Sequence, residues 1–327
     1  MSLDEYDSLI LRELLKDHRK SLTSLSKTTG LSRFAVKNRI RKLFEEGFIV
    51  GPTVVLNPFL VGLKRTVFFE FKTNPHEPWL AEMLEKMESC DILDGIAGEY
   101  SLFGRFRMFD DAHFSRVLRM VDEVMSKSFF KKYRAVDAIR IYKEAGVPFT
   151  FEEERKSPTS LDEVDIRILD LLLHQVEYVK SSRLLSTMEL SRLLRSFGMQ
   201  ISQPTVFKRL TRLEEKGVIL RYTMMVNWSR LGLDAKFIVR IKVNPNAYGD
   251  VARNFLALIN EITDLYRTGE DYGLLAILRV SDVSEYNSFL LKLYQSNEII
   301  DTYTTLVLEE RRNVPLSFEK ENDLDGF

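Results

Sequence analysis

The spacing of hydrophobic residues predicts that the chain begins with a small bundle of helices. Apolar residues recur at helical spacing over residues 10–15 and again over 36–43, and a short segment, Leu22–Thr29, lies between them. Residues 47–56 form two β-rich runs broken by Gly51-Pro52, which predicts a small hairpin. Three helices followed by a hairpin are typical of a winged helix-turn-helix.

The residues that follow alternate between strand and helix patterns. The order is strand, helix, strand, strand, helix, strand, and it occurs twice along the chain. This order predicts an antiparallel four-stranded sheet with two helices on one face, as in ferredoxin-like folds. The predicted elements are 66–72, 77–89, 92–97, 100–108, 112–125 and 134–142, and then 236–243, 248–260, 264–268, 272–280, 283–295 and 302–309.

The second half of the chain repeats the first. The sequence LDEYD at 3–7 returns as LDEVD at 161–165, and the pattern of residues 32–49 returns at 202–219. We therefore predict a tandem duplication of class α+β, with two winged helix-turn-helix domains and two βαββαβ domains. The predicted parts are helix-turn-helix domains over 1–60 and 161–230, βαββαβ domains over 61–145 and 231–311, a linker over 146–160 and a tail over 312–327.

Composition places the chain among globular proteins without an overall charge bias. The 327 residues are 45% hydrophobic, and 47 Lys+Arg balance 48 Asp+Glu, so nucleic-acid binding has to come from local patches. The single cysteine, Cys90, excludes an intrachain disulfide. The first residues lack a signal-peptide pattern, and the apolar run at 273–278 is far below the ~18 residues of a membrane helix. We expect a soluble cytoplasmic protein that does not bind membranes.

A cationic face on the helix around Val36 is the main candidate for function. An apolar inner stripe with a cationic outer face suits a helix that packs on its own domain and lies along a major groove of double-stranded DNA. A solvated surface helix is the alternative, but the pattern recurs around Val206. The candidate DNA contacts are Ser32, Arg33, Phe34, Lys37, Asn38, Arg39 and Arg41, and then Ser202, Gln203, Thr205, Lys208, Arg209 and Arg212.

These motifs resemble the Lrp/AsnC, or feast/famine, transcription regulators. The motifs lie at 3–7, 30–49, 269–272 and 302–308. The resemblance implies a DNA-binding domain followed by a ligand-sensing βαββαβ domain that dimerises through its sheet. A chain with two copies is similar to archaeal tandem members, some of which activate by recruiting transcription factor B, so that factor is an expected partner. The second copy departs from the family pattern by two insertions before residue 202.

The resemblance also implies an amino-acid effector. The family's pocket uses a Gly/Asp loop and nearby threonines, which places the effector contacts at Gly269, Asp271, Thr302 and Thr304. The first copy has Tyr100 where the second has Asp271, and its last strand lacks the threonines. We therefore expect the first copy to have lost this pocket.

We predict that the two sheets pair within one chain. Alternating apolar residues over 67–71 and 237–241 would form the two open sheet faces and press together. Fusing the copies turns a concentration-dependent dimer into an intramolecular pair and lets the two DNA-reading helices differ. A homodimer of whole chains remains an alternative.

Enzyme chemistry has little support in the sequence. The four histidines are scattered, and no H-E-x-x-H, G-x-S-x-G or glycine-rich phosphate loop occurs. We predict no enzyme activity, cofactor or metal. The alternatives are a sensor without DNA binding or a siroheme decarboxylase, since those enzymes resemble this regulator family in fold. A decarboxylase would need a tetrapyrrole pocket lined by His and Arg, and only His76 and His113 lie in a sheet domain.

Each predicted sheet domain ends in a short apolar and acidic tail, VPFTFE at 147–152 and VPLSFE at 314–319. Because proline cannot donate to a sheet ladder, the tail should leave its strand there. We expect Phe149 with Phe151, and Leu316 with Phe318, to bury against a neighbouring surface. Either each tail covers its own domain, or the second tail docks on a partner through Glu319, Glu321 and Asp323.

Overall fold

The computed structural model describes residues 3–154 and 156–319, which form two compact units. Unit 1 combines the described residues up to Val61 with Ser157–Gly232. Unit 2 combines Gly62–Lys156 with the described residues from Leu233 onward. Each unit therefore takes one segment from each half of the chain.

The elements of the first half follow the predicted order except over residues 47–56 and 146–160. They are α1 (Glu5–Lys16), α2 (Leu22–Thr29), α3 (Arg33–Glu45), β1 (Ile49–Leu56), β2 (Arg65–Lys72), α4 (Pro78–Glu85), β3 (Cys90–Ile96), β4 (Leu102–Met108), α5 (Asp111–Ser126), β5 (Lys132–Glu144), β6 (Val147–Pro148) and α6 (Phe151–Glu154).

The second half follows a similar series, in which the short helix α8 is added and β6 and α6 have no counterpart among the described residues. Its elements are α7 (Glu163–Leu173), α8 (Gln175–Tyr178), α9 (Thr187–Ser196), α10 (Gln203–Glu215), β7 (Ile219–Val226), β8 (Ala235–Val243), α11 (Tyr248–Asn254) with a 3-10 turn (Leu256–Leu258), β9 (Ile262–Thr268), β10 (Leu274–Val280), α12 (Val283–Leu293) and β11 (Ile299–Asn313). Among the described residues, every helix is too short or too polar to cross a lipid bilayer.

In unit 1, the helices begin and end where the sequence provides capping residues. The Ser32 hydroxyl accepts a hydrogen bond from the Ala35 backbone N–H at 3.1 Å and so starts α3. Gly30, with φ of 73°, closes α2 in a left-handed conformation that few side chains tolerate. Asp162 and Asp165 form a reciprocal capping box that starts α7. These local signals explain why the three-helix pattern could be read from the sequence.

The hairpin predicted after each helix bundle is wrong. Residues 49–56 form a single strand, β1, that runs through Gly51-Pro52 and pairs antiparallel with β7 of the other half. The exchange extends to the side chains, since the Thr53 hydroxyl donates to the Leu173 carbonyl and the Thr223 hydroxyl to the Leu15 carbonyl. Each strand thus completes the helix bundle of the other half, so neither bundle is self-sufficient.

In unit 2, the strands form a closed ring. The order is β2-β4-β3-β11-β8-β10-β9-β5, and β5 also pairs with β2. Pairs within a half come from the ferredoxin-like order, whereas β3–β11 and β5–β9 join the two halves. Closure leaves no free sheet edge in this ring, which removes sites for unwanted strand pairing.

The prediction for the open sheet faces is also wrong. Val67, Phe69 and Phe71 pack in one core with the helices α4 and α5. Phe237, Val239 and Ile241 pack in the second core, against α11 and α12. Because side chains alternate along a strand, the opposite face is the one turned into the ring. The alternation was correct, but it could not say which face the helices cover.

Buried ion pairs line the inside of the ring. Arg105 contacts Asp91 and Asp264 at 2.8 and 3.1 Å, and Lys236 contacts Asp94 at 2.7 Å. The pairs Arg105–Asp264 and Lys236–Asp94 join the two halves. Burial raises the pKa of Asp94 although Lys236 opposes that shift. Buried ion pairs contribute little net stability, so we assign them mainly to fixing the register of the two sheets.

The second tail lies on the sheet domain of the first half. Val314 N–H donates to the Asp91 carbonyl at 2.9 Å, and Phe318 stacks on Phe109 with ring centroids 5.7 Å apart. Leu316 is buried, as is Phe149 of the first tail. The second tail therefore covers the partner half rather than its own domain. The side chain of Phe151, and residues Glu321 and Asp323, lie outside the described residues.

Candidate nucleic-acid interface and effector pocket

In unit 1, helix α3 presents a cationic outer face. Val36 and Leu43 are buried, whereas Arg33 and Lys37 are exposed. The first turn of α3 contains no acidic residue, so its positive charge adds to the positive end of the helix dipole. Phe34 is 74% exposed beside these cations. This surface combines charge for phosphates with an apolar group for base edges.

Two further α3 candidates differ in their freedom to reach DNA. Asn38 is half-buried on the same helix. The Arg41 side chain is 67% exposed, and its Nε lies 3.8 Å from Glu45 Oε1, a loose surface pair. Both groups remain available to a ligand on this face. The Ser32 hydroxyl is used in the helix cap described above.

Arg39 is held inside unit 1 by two carboxylates. Its Nη1 donates to Asp4 Oδ2 and to Asp7 Oδ1, each at 2.7 Å. The hydrogen bonds that Arg39 donates to Asp7 and Asp4 raise the pKa of Arg39. The Asp7 side chain is 6% exposed, so this pair ties α3 to α1 at a buried position. The geometry favours a structural role over the predicted contact with DNA.

Helix α10 repeats this arrangement with different side chains. Arg209 contacts Asp162 and Asp165, at 2.7 and 2.8 Å, and Arg212 also pairs with Asp165. These two arginines are therefore engaged in the same way as Arg39. Gln203, Thr205 and Lys208 are exposed, and Gln203 Nε2 lies 3.2 Å from the Thr187 hydroxyl.

Phe207 is an exposed α10 residue that the sequence reasoning did not select. It is 61% exposed, next to Lys208, while the neighbouring Val206 is buried in the core. The sequence feature that could have identified Phe207 is an apolar residue outside the buried stripe of a basic helix. Ser202 stands at the N-cap without a capping bond, and its hydroxyl lies 2.9 Å from that of Thr205.

The insertions in the second half form an added layer on unit 1. Helix α8 packs against β1, and a Cβ built on Gly51 would lie 2.2 Å from Val176 Cγ1. Gly51 therefore permits a close approach that a side chain would block. Arg183 then pairs with Glu189 at 2.6 Å and holds the start of α9. The insertions support the helix-turn-helix rather than extending its outer face.

Unit 2 contains a pocket of about 510 Å³ that both halves of the chain build. The first half supplies the loop with Glu99 and Tyr100, and the second supplies the loop with Asp271 and Tyr272. The full lining is Glu70, Ile96, Ala97, Glu99, Tyr100, Arg134, Arg240, Glu270, Asp271, Tyr272, Tyr303 and Thr305.

The structure brings only part of the predicted effector set to this pocket. Asp271 lines it, but Gly269 does not. Thr302 and Thr304 lie on the helix-facing side of β11, where their hydroxyls contact those of Tyr294 and Tyr286. The alternation of the strand places Tyr303 and Thr305 in the pocket instead.

The expectation that the first copy contributes no pocket is corrected by the same geometry. Tyr100 lines the pocket, together with Glu99 and Arg134 of the first half. The two loops meet because the ring of strands places corresponding ends of the two sheets side by side. Sequence comparison of the copies treated each loop as a separate site, and this could not reveal a shared pocket.

The floor of the pocket is a balanced cluster of charges. Glu70 contacts both Arg134 and Arg240, and Arg240 Nε donates to Glu270 Oε1 at 3.1 Å. Glu70 and Arg240 are each 3% exposed at the side chain. The charges in the floor therefore compensate one another. The charged side chains at the mouth of the pocket then determine whether a cationic or an anionic ligand is favoured.

The histidines of unit 2 lie away from this pocket. His113 is buried near the start of α5, where its ring stacks on Phe109, and His76 is exposed. Within the described residues, no group of three or more His, Cys, Asp or Glu side chains is placed to hold a metal ion. Burial raises the pKa of the Cys90 thiol, which makes it unreactive.

Comparison with known proteins agrees with this architecture. Residues 3–43 match the AsnC-type helix-turn-helix domain, and residues 236–314 match the Lrp/AsnC ligand binding domain. An uncharacterized HTH-type transcriptional regulator of Pyrococcus abyssi is 34% identical over 149 residues, which are 44% of this chain and 96% of that protein. The leucine-responsive regulatory protein of Salmonella typhimurium is 33% identical over 123 residues, covering 36% of this chain and 73% of that protein.

Two solved structures, both of the siroheme decarboxylase NirDL, are similar over nearly the whole chain. The siroheme decarboxylase NirDL aligns with a TM-score of 0.64 at 15% identity, covering 96% of this chain and 95% of that one. At this identity the likeness concerns the fold alone. The domain matches and the identity to the Pyrococcus regulator decide the family. The chain belongs to the Lrp/AsnC family of helix-turn-helix transcriptional regulators.

Proposed function

We propose that the protein is a sequence-specific transcription regulator that reads DNA with α3 and α10. The observation that carries this proposal is the pair of exposed faces with cations and no acidic residue in the first helical turn. A major groove accepts one α-helix, and positive charge on that helix neutralises the flanking phosphates. Both features recur on two helices that serve the same position in the repeat.

The residues divide into readers and positioning groups. We assign base contacts on α3 to Arg33, Lys37 and Asn38, and phosphate contact to Arg41. On α10 the corresponding readers are Gln203, Thr205 and Lys208, and the exposed phenylalanines Phe34 and Phe207 add apolar contacts. Arg39, Arg209 and Arg212 hold the two helices on α1 and α7 through their aspartates.

The chain acts, in this proposal, as a pseudo-dimer with two unlike DNA-reading helices. The exchange of β1 and β7 and the closed ring of unit 2 support it, because both join the two halves. The Pyrococcus relative supports it as well, since nearly all of that protein matches less than half of this chain. Recruitment of transcription factor B and pairing of whole chains stay predictions.

Site selection from random duplexes tests the DNA-binding proposal. Two unlike readers in one chain should select two unlike half-sites, centred about 10 bp or a multiple apart. A perfect palindrome would contradict the tandem arrangement.

A triple variant, Arg33→Ala/Lys37→Ala/Asn38→Ala, tests the reader on α3. Each lost base contact should cost ~1–3 kcal/mol of discrimination. The control, Arg119→Ala/Lys127→Ala/Asn287→Ala, removes the same charge from exposed positions of unit 2. Specific binding should be lost only in the α3 variant. If both variants keep it, α3 is not the reader.

We also propose that the pocket of unit 2 binds a small effector that modulates DNA binding. Its volume of about 510 Å³ lies within the ~300–1,000 Å³ typical of small-molecule sites. The match to a ligand binding domain over 236–314 supports this role. A screen of the amino acids by thermal shift, followed by DNA titration with each stabilising compound, tests it.

Similarity of fold supports the decarboxylase alternative. The residues that line the pocket do not support it. The pocket lining carries four carboxylates against two guanidiniums and contains no histidine among the described residues. A tetrapyrrole with carboxylate side chains would meet net repulsion there. Incubation with such a tetrapyrrole should therefore leave the protein without absorbance in the Soret region.

A further inference from the structure

We propose that the pocket of unit 2 takes an organic cation, an alkylamine or guanidinium compound, held against tyrosine rings by carboxylates at its mouth. This inference rests on the proposed effector function of the same pocket and narrows the class of ligand. It departs from the amino-acid effector implied by the sequence, because it needs no recognition of an α-carboxylate.

The guanidiniums in the floor of the pocket already have carboxylate partners. Arg134 and Arg240 both contact Glu70, and Arg240 also contacts Glu270 at 3.1 Å. An incoming carboxylate would have to share these guanidiniums with Glu70 and Glu270, whose negative charges repel it. The floor therefore offers poor anchoring to an anionic group.

The mouth of the pocket, by contrast, carries two exposed carboxylates. Asp271 and Glu99 are exposed there, on loops from opposite halves of the chain. Lys132 compensates Glu99, from which it is separated by 2.5 Å. Asp271 adds a charge that no guanidinium of the lining balances, since the two in the floor face Glu70 and Glu270. A ligand cation would supply the missing charge.

The walls of the pocket are aromatic. Tyr100, Tyr272 and Tyr303 line it, and the rings of Tyr272 and Tyr303 lie 6.2 Å apart between centroids. The protein's own guanidiniums already lie near two of these rings, with Arg134 at 5.4 Å from Tyr100 and Arg240 at 5.7 Å from Tyr303. The face of each ring opposite its guanidinium can attract an ammonium or guanidinium ligand.

Isothermal titration of the full chain with putrescine and agmatine tests the proposal, with leucine and aspartate as comparison ligands. Putrescine and agmatine should bind, more weakly at higher salt, and the two amino acids should not. Binding of leucine or aspartate in place of the cations would overturn the cationic class while leaving an effector pocket. No binding by any of the four would overturn the proposal, and undisturbed DNA binding would show that this failure is separate from the DNA-reading function.

Variants then locate the site. Asp271→Asn keeps the shape of the side chain but removes its charge, so putrescine affinity should fall about three- to tenfold. Glu309→Gln removes an exposed carboxylate outside the lining and should change nothing. Tyr303→Phe should retain binding because the ring remains, whereas Tyr303→Leu should lose it. Equal affinities in Asp271→Asn and wild type, or in both Tyr303 variants, would place the cation elsewhere.

Discussion

The exposed phenylalanine on α3 gives a test of DNA reading at the level of a single methyl group. Phe34 is 74% exposed in the first turn of the helix, where the exposed Arg33 and Lys37 flank it. A phenyl ring in a major groove finds its apolar partner in the 5-methyl group of thymine. We therefore predict that the α3 half-site contains a thymine whose methyl group contacts Phe34.

The expected magnitude follows from the area that such a contact removes from water. A ring edge placed on a methyl group buries roughly 50 Å², and at roughly 25 cal/mol per Å² this gives about 1.3 kcal/mol. That free energy corresponds to about a tenfold change in the dissociation constant. Phe34→Ala should thus weaken binding to the selected site about tenfold.

The decisive assay replaces the thymine rather than the protein. Deoxyuridine lacks the methyl group but pairs as thymine does, so scanning each thymine of the site locates the contact. The substitution should cost wild type about tenfold and Phe34→Ala nothing, because the two changes remove the same contact. Phe129→Ala, a variant at a 72% exposed phenylalanine of unit 2, is the matched control. An equal cost in wild type and Phe34→Ala at every thymine would refute the reasoning.

Three further predictions concern the stability of unit 1. Gly51→Ala should destabilise the protein by ~1–3 kcal/mol in denaturant titration, because the new Cβ would lie 2.2 Å from a valine methyl of α8. Gly95→Ala, a strand glycine whose Cβ would meet its neighbour at 3.4 Å, should cost less, and equal costs would contradict the clash. Arg39→Ala should lower the free energy of unfolding by ~1–3 kcal/mol and leave the salt dependence of DNA binding unchanged; a slope reduced by about 1 would instead identify a phosphate contact. Hydrogen bonds from Arg183 and Ser186 lower the pKa of Glu189 from 4.5 to about 2, so the stability from these contacts should be present above pH 4.5 and lost as the pH falls toward 2. Glu189→Gln should flatten that part of the pH profile, and an unchanged profile would count against the pair.

Local chemistry in the sequence determined the elements and their order. Three features of the sequence are local: the helical spacing, capping residues such as Ser32, and the repeated LDEYD motif. Because each involves only a few neighbouring residues, each can be recognised without knowledge of the fold. The cationic helices were identified for the same reason, since a buried stripe and a basic face are properties of one helix.

The tertiary structure decided which groups meet. The sequence marked residues 49–56 as β-forming, but the partner of that strand lies about 170 positions further along the chain and is chosen by the helix bundle it completes. The structural role of Arg39 also depends on the fold, because Asp4 and Asp7 come close to it only after α3 packs on α1.

The candidate pocket shows the limit most clearly. Motif comparison selected Asp271, which lines the pocket, but it also selected Thr302 and Thr304, which do not, and it excluded Tyr100, which does. A period of two along a strand states that neighbours point to opposite faces, and does not say which face the helices cover. Closure of the strand ring decides which face the helices cover, and it joins the two loops into one pocket. This closure comes from pairing between strands that are far apart in sequence, so no local pattern could reveal it.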